Sequence, residues 1–462
     1  MKKLICILLF LFPVVAFAQQ PWYKYSPTDY TWEDIGDTGF SAGAAYGTSL
    51  AFNQTGQAYV AYRDFSYSRK ATVMKFDGTN WINVGNAGFS AGEADFTSLA
   101  INPSDSEPYV AYEDYGNSYK ATVMKFDGNN WVNVGNAGFS ISMASSTCLA
   151  FDSFDSLPYV SYGDNGNSNR ATVMKFDGNN WVNVGNAGFS PGETDFVSLA
   201  ISTVDGHPYV GFQDWAHSFK ATVMNFNGTS WVYVGSPGFS GGEASEISLA
   251  FNPSDSEPYM AYEDSGESGK ATVMKFDGTN WVIVGKAGFS QGVVACTSLA
   301  FSKSGEPYIA FADIPNFQRA TVMKFDGTNW VNVGNADFSA WATNDESLAF
   351  SPSGQPYIAY QDQGDSSKAT VMYYDGPVGI RELKSSQISI YPNPATDKIT
   401  IEIAEGQAPG QLSMMNLNGE EILTCSLIKP KTQIDISNLP SEVYFVRLTN
   451  DKTVDVGKIV KN

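Results

Sequence analysis

Seven times along the chain an Asp is followed six residues later by Lys or Arg: Asp64/Lys70, Asp114/Lys120, Asp164/Arg170, Asp214/Lys220, Asp264/Lys270, Asp313/Arg319 and Asp362/Lys368. At that spacing a short loop can hold an Asx turn and a cross-hairpin ion pair. A residue present in every copy of a repeat answers first to the repeat's own structure. The sharper chemistry open to these pairs is a ring of polar ligand sites, with Asp114, Lys120, Asp264 and Lys270 among its members. A second set of acids stands where the copies differ most: Glu93, Asp95, Glu193, Asp195, Glu243, Glu246, Asp345 and Glu346. Such acids can bind a hydroxyl-rich ligand, and two that converge could act as acid and base on a glycosidic bond. No Ser–His–Asp set and no phosphate-cradling glycine loop occurs. With only His207 and His217 present, a multi-histidine metal centre is excluded. The Asp-x-Gly-x-Ser loops at 114, 164, 264 and 362 hold too few carboxylates for Ca²⁺. No metal or cofactor is expected.

The elements that must position these residues repeat with them. Ala-Thr-Val-Met begins at Ala71, Ala121, Ala171, Ala221, Ala271, Ala320 and Ala369, and Trp recurs at 32, 81, 131, 181, 231, 281 and 330. Ser-Leu-Ala recurs in phase, with Cys148 replacing its Ser once. Each copy reads as four short strands, for example around Leu99, Val110, Val123 and Val132, with the Asp127-Gly128 hairpin signal before the last. The second strand, Tyr109-Val110-Ala111-Tyr112, is apolar on both faces and so needs cover on both faces. Four-stranded sheets stacked around an axis provide it, which predicts a β-propeller of seven blades over 19–377. The methionines at mid-strand, such as Met124, belong to its core, and the repeated Trp residues pack between blades. The first copy opens with a spare fourth strand at 32–36, and the last copy, ending at Gly376, lacks one. The N-terminal strand is therefore expected to complete the last blade and close the ring. Alternating strands put the variable connections and the Asp/Lys loops on one face.

Composition agrees with an all-β chain and narrows its partners. The 462 residues include 10 Trp, 24 Tyr, 30 Phe and 43 Gly, and only 16% are charged. The net charge of −20 disfavours any partner held through phosphates, so no nucleic acid is expected. Lys2 and Lys3, an apolar run and the Ala16-Phe17-Ala18 end make 1–18 a cleaved signal peptide. No later stretch is apolar enough to span a bilayer. The remaining cysteines are Cys148, Cys296 and Cys425, an odd set without a Cys-x-x-Cys pair, so a disulfide framework is not expected.

After a short linker, 378–386, the pattern changes. Tyr391-Pro392-Asn393-Pro394-Ala395-Thr396-Asp397 is followed by Asn418-Gly419-Glu420, Leu439-Pro440, Tyr444-Phe445-Val446 and a Lys458-Ile459-Val460-Lys461 end. In order and spacing this resembles the C-terminal sorting domain of type IX secretion cargo, covering 387–462. Glu442 departs from it, standing where the family usually has Gly. The resemblance implies a small Ig-like β-sandwich, with Tyr391, Pro392, Asn393, Pro394, Lys458 and Val460 in the sorting signal. It further implies the secretion machinery as a partner and delivery to the outside of the cell, with release or surface attachment. The Phe-Asp-Gly-x-Asn-Trp turns resemble the Asp-box turns of sialidases, but lack their Ser or Thr and are one residue shorter, so no catalytic residue is carried across. The expected function is a secreted or surface binding protein, its propeller a multivalent platform for glycan or protein. A secreted glycoside hydrolase and a structural adhesin are the alternatives.

Overall fold

The computed structural model describes residues 31–376, 388–403, 410–416, 421–427, 429, 431–449 and 454–461. The expected signal peptide, 1–18, and the expected linker, 378–386, lie outside the described residues. The chain forms two compact units, Met1–Gly379 and Ile380–Asn462.

The first unit contains seven four-stranded antiparallel sheets and is a closed seven-bladed propeller. Blade 1 is Ala45–Phe52, Ala58–Asp64, Lys70–Phe76 and Trp81–Asn83. Blades 2 to 6 repeat it, starting at Ala94–Ile101, Ala144–Phe151, Thr194–Ile201, Ala244–Phe251 and Val294–Phe301. Blade 7 takes Thr343–Phe350, Pro356–Asp362 and Lys368–Tyr374 from one end of the chain and Trp32–Asp34 from the other. The closing strand pairs Trp32 with Tyr374, Glu33 with Tyr373 and Asp34 with Met372. The expected closure is thus observed, and no blade is left with three strands.

The repeated motifs turn out to be fasteners between blades. Each repeat Trp donates its Nε1–H to a carbonyl of the preceding blade, as Trp131 does to Val84 at 2.7 Å. Trp32 does the same to Val333 at 2.7 Å, across the closure. The Phe of each Gly-Phe-Ser stacks on the next blade's Trp, with centroids 4.0 Å apart for Phe89 and Trp131. A Gly at the crossing point permits this approach: a Cβ on Gly85 would lie 2.8 Å from Phe126. Inside five of the blades a buried Tyr donates to the mid-strand Met, as Tyr112 does to Met124 Sδ at 3.2 Å, while blades 4 and 6 bury Phe212 and Phe311 at that position. These contacts exclude water from both faces of every sheet, which is what the doubly apolar strands require.

The innermost strands carry a second ring of bonds. The Ser of each Ser-Leu-Ala accepts from the Leu N–H of the next blade: Ser49 from Leu99, Ser98 from Leu149, Ser198 from Leu249, Ser248 from Leu299, Ser298 from Leu348 and Ser347 from Leu50, all at 3.0 Å. Cys148 breaks the series. Its Sγ sits 4.0 Å from the Leu199 carbonyl and supplies no oxygen to the Leu199 N–H. Restoring the oxygen with Cys148→Ser is expected to raise unfolding free energy by about 1 kcal/mol. Urea unfolding of the two proteins checks this, and an unchanged or lower midpoint would count against the ring as a source of stability.

The first strands begin four residues before Ser-Leu-Ala, and each is broken by a bulge. One residue per bulge is left-handed: Gly47, Phe96, Ser146, Phe196, Glu246, Cys296 and Asp345, with φ between 49 and 63°. This places Asp95 and Asp195 on strands near the axis, whereas sequence patterning puts them in the connections.

The second unit has a three-stranded sheet, Ile388–Tyr391, Lys398–Ile403 and Lys431–Asp435, and a four-stranded one in the order Glu421–Leu427, Gly410–Met415, Val443–Thr449, Val454–Val460. Ile399, Ile401, Leu412, Met414, Tyr444, Val446 and Ile459 form a core of their own, as an Ig-like sandwich demands.

Candidate functional site

The Asp of each Asp/Lys pair ends the second strand, and its register partner begins the third, as in Asp114 opposite Lys120. In blades 1 to 5 the Asp carboxylate caps a single 3-10 turn; Asp362 accepts from Gly364 N in an ordinary turn, and Asp313, followed by Pro315, makes no such cap bond. Asp114 accepts from Gly116 N at 2.9 Å, Asn117 Nδ2 at 2.8 Å and Thr122 Oγ1 at 2.9 Å. Asp264 accepts from Gly266 N at 3.0 Å and Thr272 Oγ1 at 3.1 Å. Both aspartates are buried. The Asx-turn reading therefore holds, but among the described residues no ion pair joins Asp to Lys in any blade. Asp114 and Asp264 face inward with their oxygens occupied, so they cannot present a charge to a ligand. Lys120 and Lys270 are half-buried at the start of the third strands.

The acids of the connections meet differently. Arg63 Nη1 lies 2.7 Å from Asp95 Oδ2 and 3.6 Å from Glu93 Oε1, while Arg69 Nη1 lies 3.3 Å from the same Glu93 oxygen. The structure thus brings Glu93 and Asp95 together through blade 1's two arginines. Glu193 accepts from Asn169 Nδ2 at 3.3 Å, and Asp195 from the Trp215 indole N–H at 2.9 Å. Glu113 faces Asp95 across the strand pair, and burial together with that charge pushes its carboxyl up to about 7. Glu346 is buried outright, which raises its carboxyl to about 8. Burial is also the first cause of the raised carboxyls of Asp345 and Glu246. The acidic face therefore carries less charge near neutral pH than its composition suggests.

Of the aromatic side chains at this site, sequence reasoning singles out only Trp215, beside His217, and gives it no role. The 3-10 turn of blade 2 stands Tyr115 against Tyr119, with centroids 4.3 Å apart. Blade 4 pairs Trp215 with Phe219 at 4.9 Å, and blade 1 holds Arg69 over Phe65 at 4.9 Å. Phe65, Tyr119 and Trp215 are all exposed. Blade 3 has Asn165 and Asn169 in the matching positions, and blade 5 has Ser265 and Gly269. Phe96, Phe196, Phe317 and Trp341 add exposed rings to the same face, Phe317 at 82%. The signal was there in the loops between the aligned Asp and Lys, where aromatics alternate with Asn, Ser and Gly from copy to copy.

In the second unit the two ends of the sorting motif meet. Asn393 Nδ2 donates to the Lys458 carbonyl at 2.7 Å, and Val460 N donates to Asn393 Oδ1 at 2.9 Å. Ala395 N adds a bond to the Val460 carbonyl, and the Tyr391 hydroxyl donates to Glu402. The residues 391–394, Lys458 and Val460 are therefore one structural feature, although more than sixty residues separate its halves.

A closed seven-bladed propeller and a separately folded β-sandwich define the architecture. Residues 389–462 match the family described as the secretion system C-terminal sorting domain. That domain marks the chain for delivery outside the cell, either attached to the surface or released. No curated protein matches the chain in sequence. Among solved structures, it is similar to PorZ, a surface component of the type IX secretion system of Porphyromonas gingivalis, at 14% identity and a TM-score of 0.49. That similarity covers 93% of this chain and 61% of PorZ, so the chain spans about three-fifths of its length. A family PL25 ulvan lyase bound to a glucuronate–sulfated rhamnose unit matches at 11% identity and a TM-score of 0.50, over 74% of this chain and 96% of the lyase. A mutant Aleuria aurantia lectin in complex with Fucα1-6GlcNAc matches at 15% identity and 0.44, over 64% and 96%. At these identities the similarity concerns the fold.

Proposed function

We propose that the protein is an extracellular carbohydrate-binding propeller that holds its ligand on the face of the 3-10 turns. The observation that carries this is the exposed aromatic stations of blades 1, 2 and 4, each standing beside carboxylates. An aromatic face covers the apolar C–H side of a sugar ring, and neighbouring acids accept its hydroxyls. Trp215 suits this role, because its N–H is held by Asp195 while the ring stays 43% exposed. The stations are unequal, which favours a few distinct sites over seven equal ones, and the reading departs to that extent from an evenly multivalent platform.

A glycan array probed with the mature secreted chain tests the proposal. Binding to at least one glycan class is expected, and Trp215→Ala or Tyr119→Ala should weaken it tenfold or more without moving the unfolding midpoint. An array that stays blank, or binding indifferent to both changes, would remove the proposal.

A further inference from the structure

The opposite face of the propeller carries the hairpins between first and second strands. Blades 2 to 5 use six residues there, for example 252–257, whereas blades 1, 6 and 7 use five: 53–57, 302–306 and 351–355. The shortening moves the left-handed turn residue onto Gly56, Gly305 and Gly354. Where the short hairpin of blade 6 follows blade 5, the cleft between blades opens into a cavity of about 480 Å³. Where the short hairpin of blade 1 follows blade 7, an equivalent cavity of about 470 Å³ opens. Both volumes fall within the range of small-molecule sites.

The two cavities are built from matching positions. Tyr259 and Phe325 line the first, and Tyr357 and Phe76 the second. A hydroxyl stands at the mouth of each, on Ser304 or Thr55, and an aspartate at the rim, Asp326 or Asp77. One oxygen of each aspartate is fixed by two turn amides, at 2.9 and 2.7 Å for Asp326 and 2.9 and 2.8 Å for Asp77. Among the described residues, the blade 7/1 cavity has no cationic side chain in its lining. The one ammonium of the other, Lys275, is taken by Glu257 at 2.7 Å. An anionic ligand would meet carboxylates without a free counter-charge. Aromatic walls with hydroxyl and carboxylate groups at the mouth instead suit a flat, neutral polyol. In the third short hairpin the residue equivalent to Glu306 and Gln57 is Gln355, which is itself buried.

We propose that these two interblade pockets each bind a neutral hexopyranose unit, independently of the aromatic face. The test is ligand-observed NMR on the mature chain with methyl glucoside, methyl galactoside and methyl mannoside, and sodium glucuronate as the anionic control. At least one neutral glycoside should bind two sites per chain, with glucuronate at least tenfold weaker. Grafting the six-residue hairpin 252–257 in place of 302–306 should halve the stoichiometry, and a second graft at 53–57 should abolish it. Ser304→Trp with Thr55→Trp repeats the experiment by filling the pockets at constant loop length. Binding to the aromatic face, recognised by its sensitivity to Trp215→Ala, should survive both sets. Neutral glycosides that do not bind, glucuronate that binds as well, or binding unmoved by grafts and fillings would each overturn the pockets without touching the other face.

Discussion

Replacing Trp32 with Ala is expected to cost the propeller about 3–5 kcal/mol, the penalty of deleting a buried aromatic. The residue stands in the first described strand, 301 positions in sequence from the carbonyl it binds. Here it is 6% exposed, bonded to Val333 and stacked on Phe338 at 4.6 Å. The strand it begins is also the outer strand of blade 7, and further bonds run from Ile35 N to Val371 O and from Phe40 N to Ala369 O. Losing it frees the edge of Lys368–Tyr374, a template for aggregation. The loop it closes is longer than 300 residues, but the entropic cost of closure grows only with the logarithm of length. The control is Trp131→Ala, an identical fastener between consecutive blades. Guanidinium unfolding should give similar losses for both. A Trp32→Ala loss below about 1 kcal/mol beside a full loss for Trp131→Ala would mean that the ring is held shut elsewhere.

Removing 388–462 is expected to stop delivery outside the cell completely while leaving a folded propeller behind. The basis is separateness: the sandwich core of Ile399, Leu412, Tyr444 and Ile459 shares no residue with any propeller cluster. Stability therefore stays with the propeller when the tail is gone. Cell fractionation with protease shaving reads the result, and the truncated chain should be protease-resistant and retained in the periplasm. Surface or medium delivery of the truncated chain would contradict the assigned role of the tail. Asn393→Ala should reproduce much of the retention, because it removes both bonds to the last strand and leaves the core intact.

Much of the architecture was legible in the sequence because it is written seven times. Phase differences between the copies revealed the circular closure, and the repeated Trp marked the blade contacts, whereas its stacking partner, the Phe of Gly-Phe-Ser, was not singled out. The bulges were not legible. A left-handed residue announces itself when it is Gly, as at 47, but the matching positions carry Phe96, Ser146, Glu246 and Asp345. Each bulge shifts the strand's alternation, so Asp95 read as loop while it lies on a strand. The candidate site was legible in its acids and not in its rings. Charged residues draw attention by type, whereas Tyr119 gives no such signal, and Trp215, which stands out beside His217 in its loop, takes a role only once the fold sets it in solvent beside Asp195. The missing ion pairs have a simple cause: the Asp carboxylate satisfies nearby turn amides and hydroxyls, and its Lys partner is left out.

The bond pair that ties Asn393 to the last strand has a consequence for timing. No stretch of unfolded chain displays both halves of this signal side by side, since they meet only once the final strand has docked. A receptor that reads the joined surface would be reading a certificate of completion. A nascent, nicked or prematurely ended product would lack the seal even with Tyr391 to Pro394 intact. Export licensed in that way doubles as quality control, exercised on the last segment made rather than on the propeller it carries.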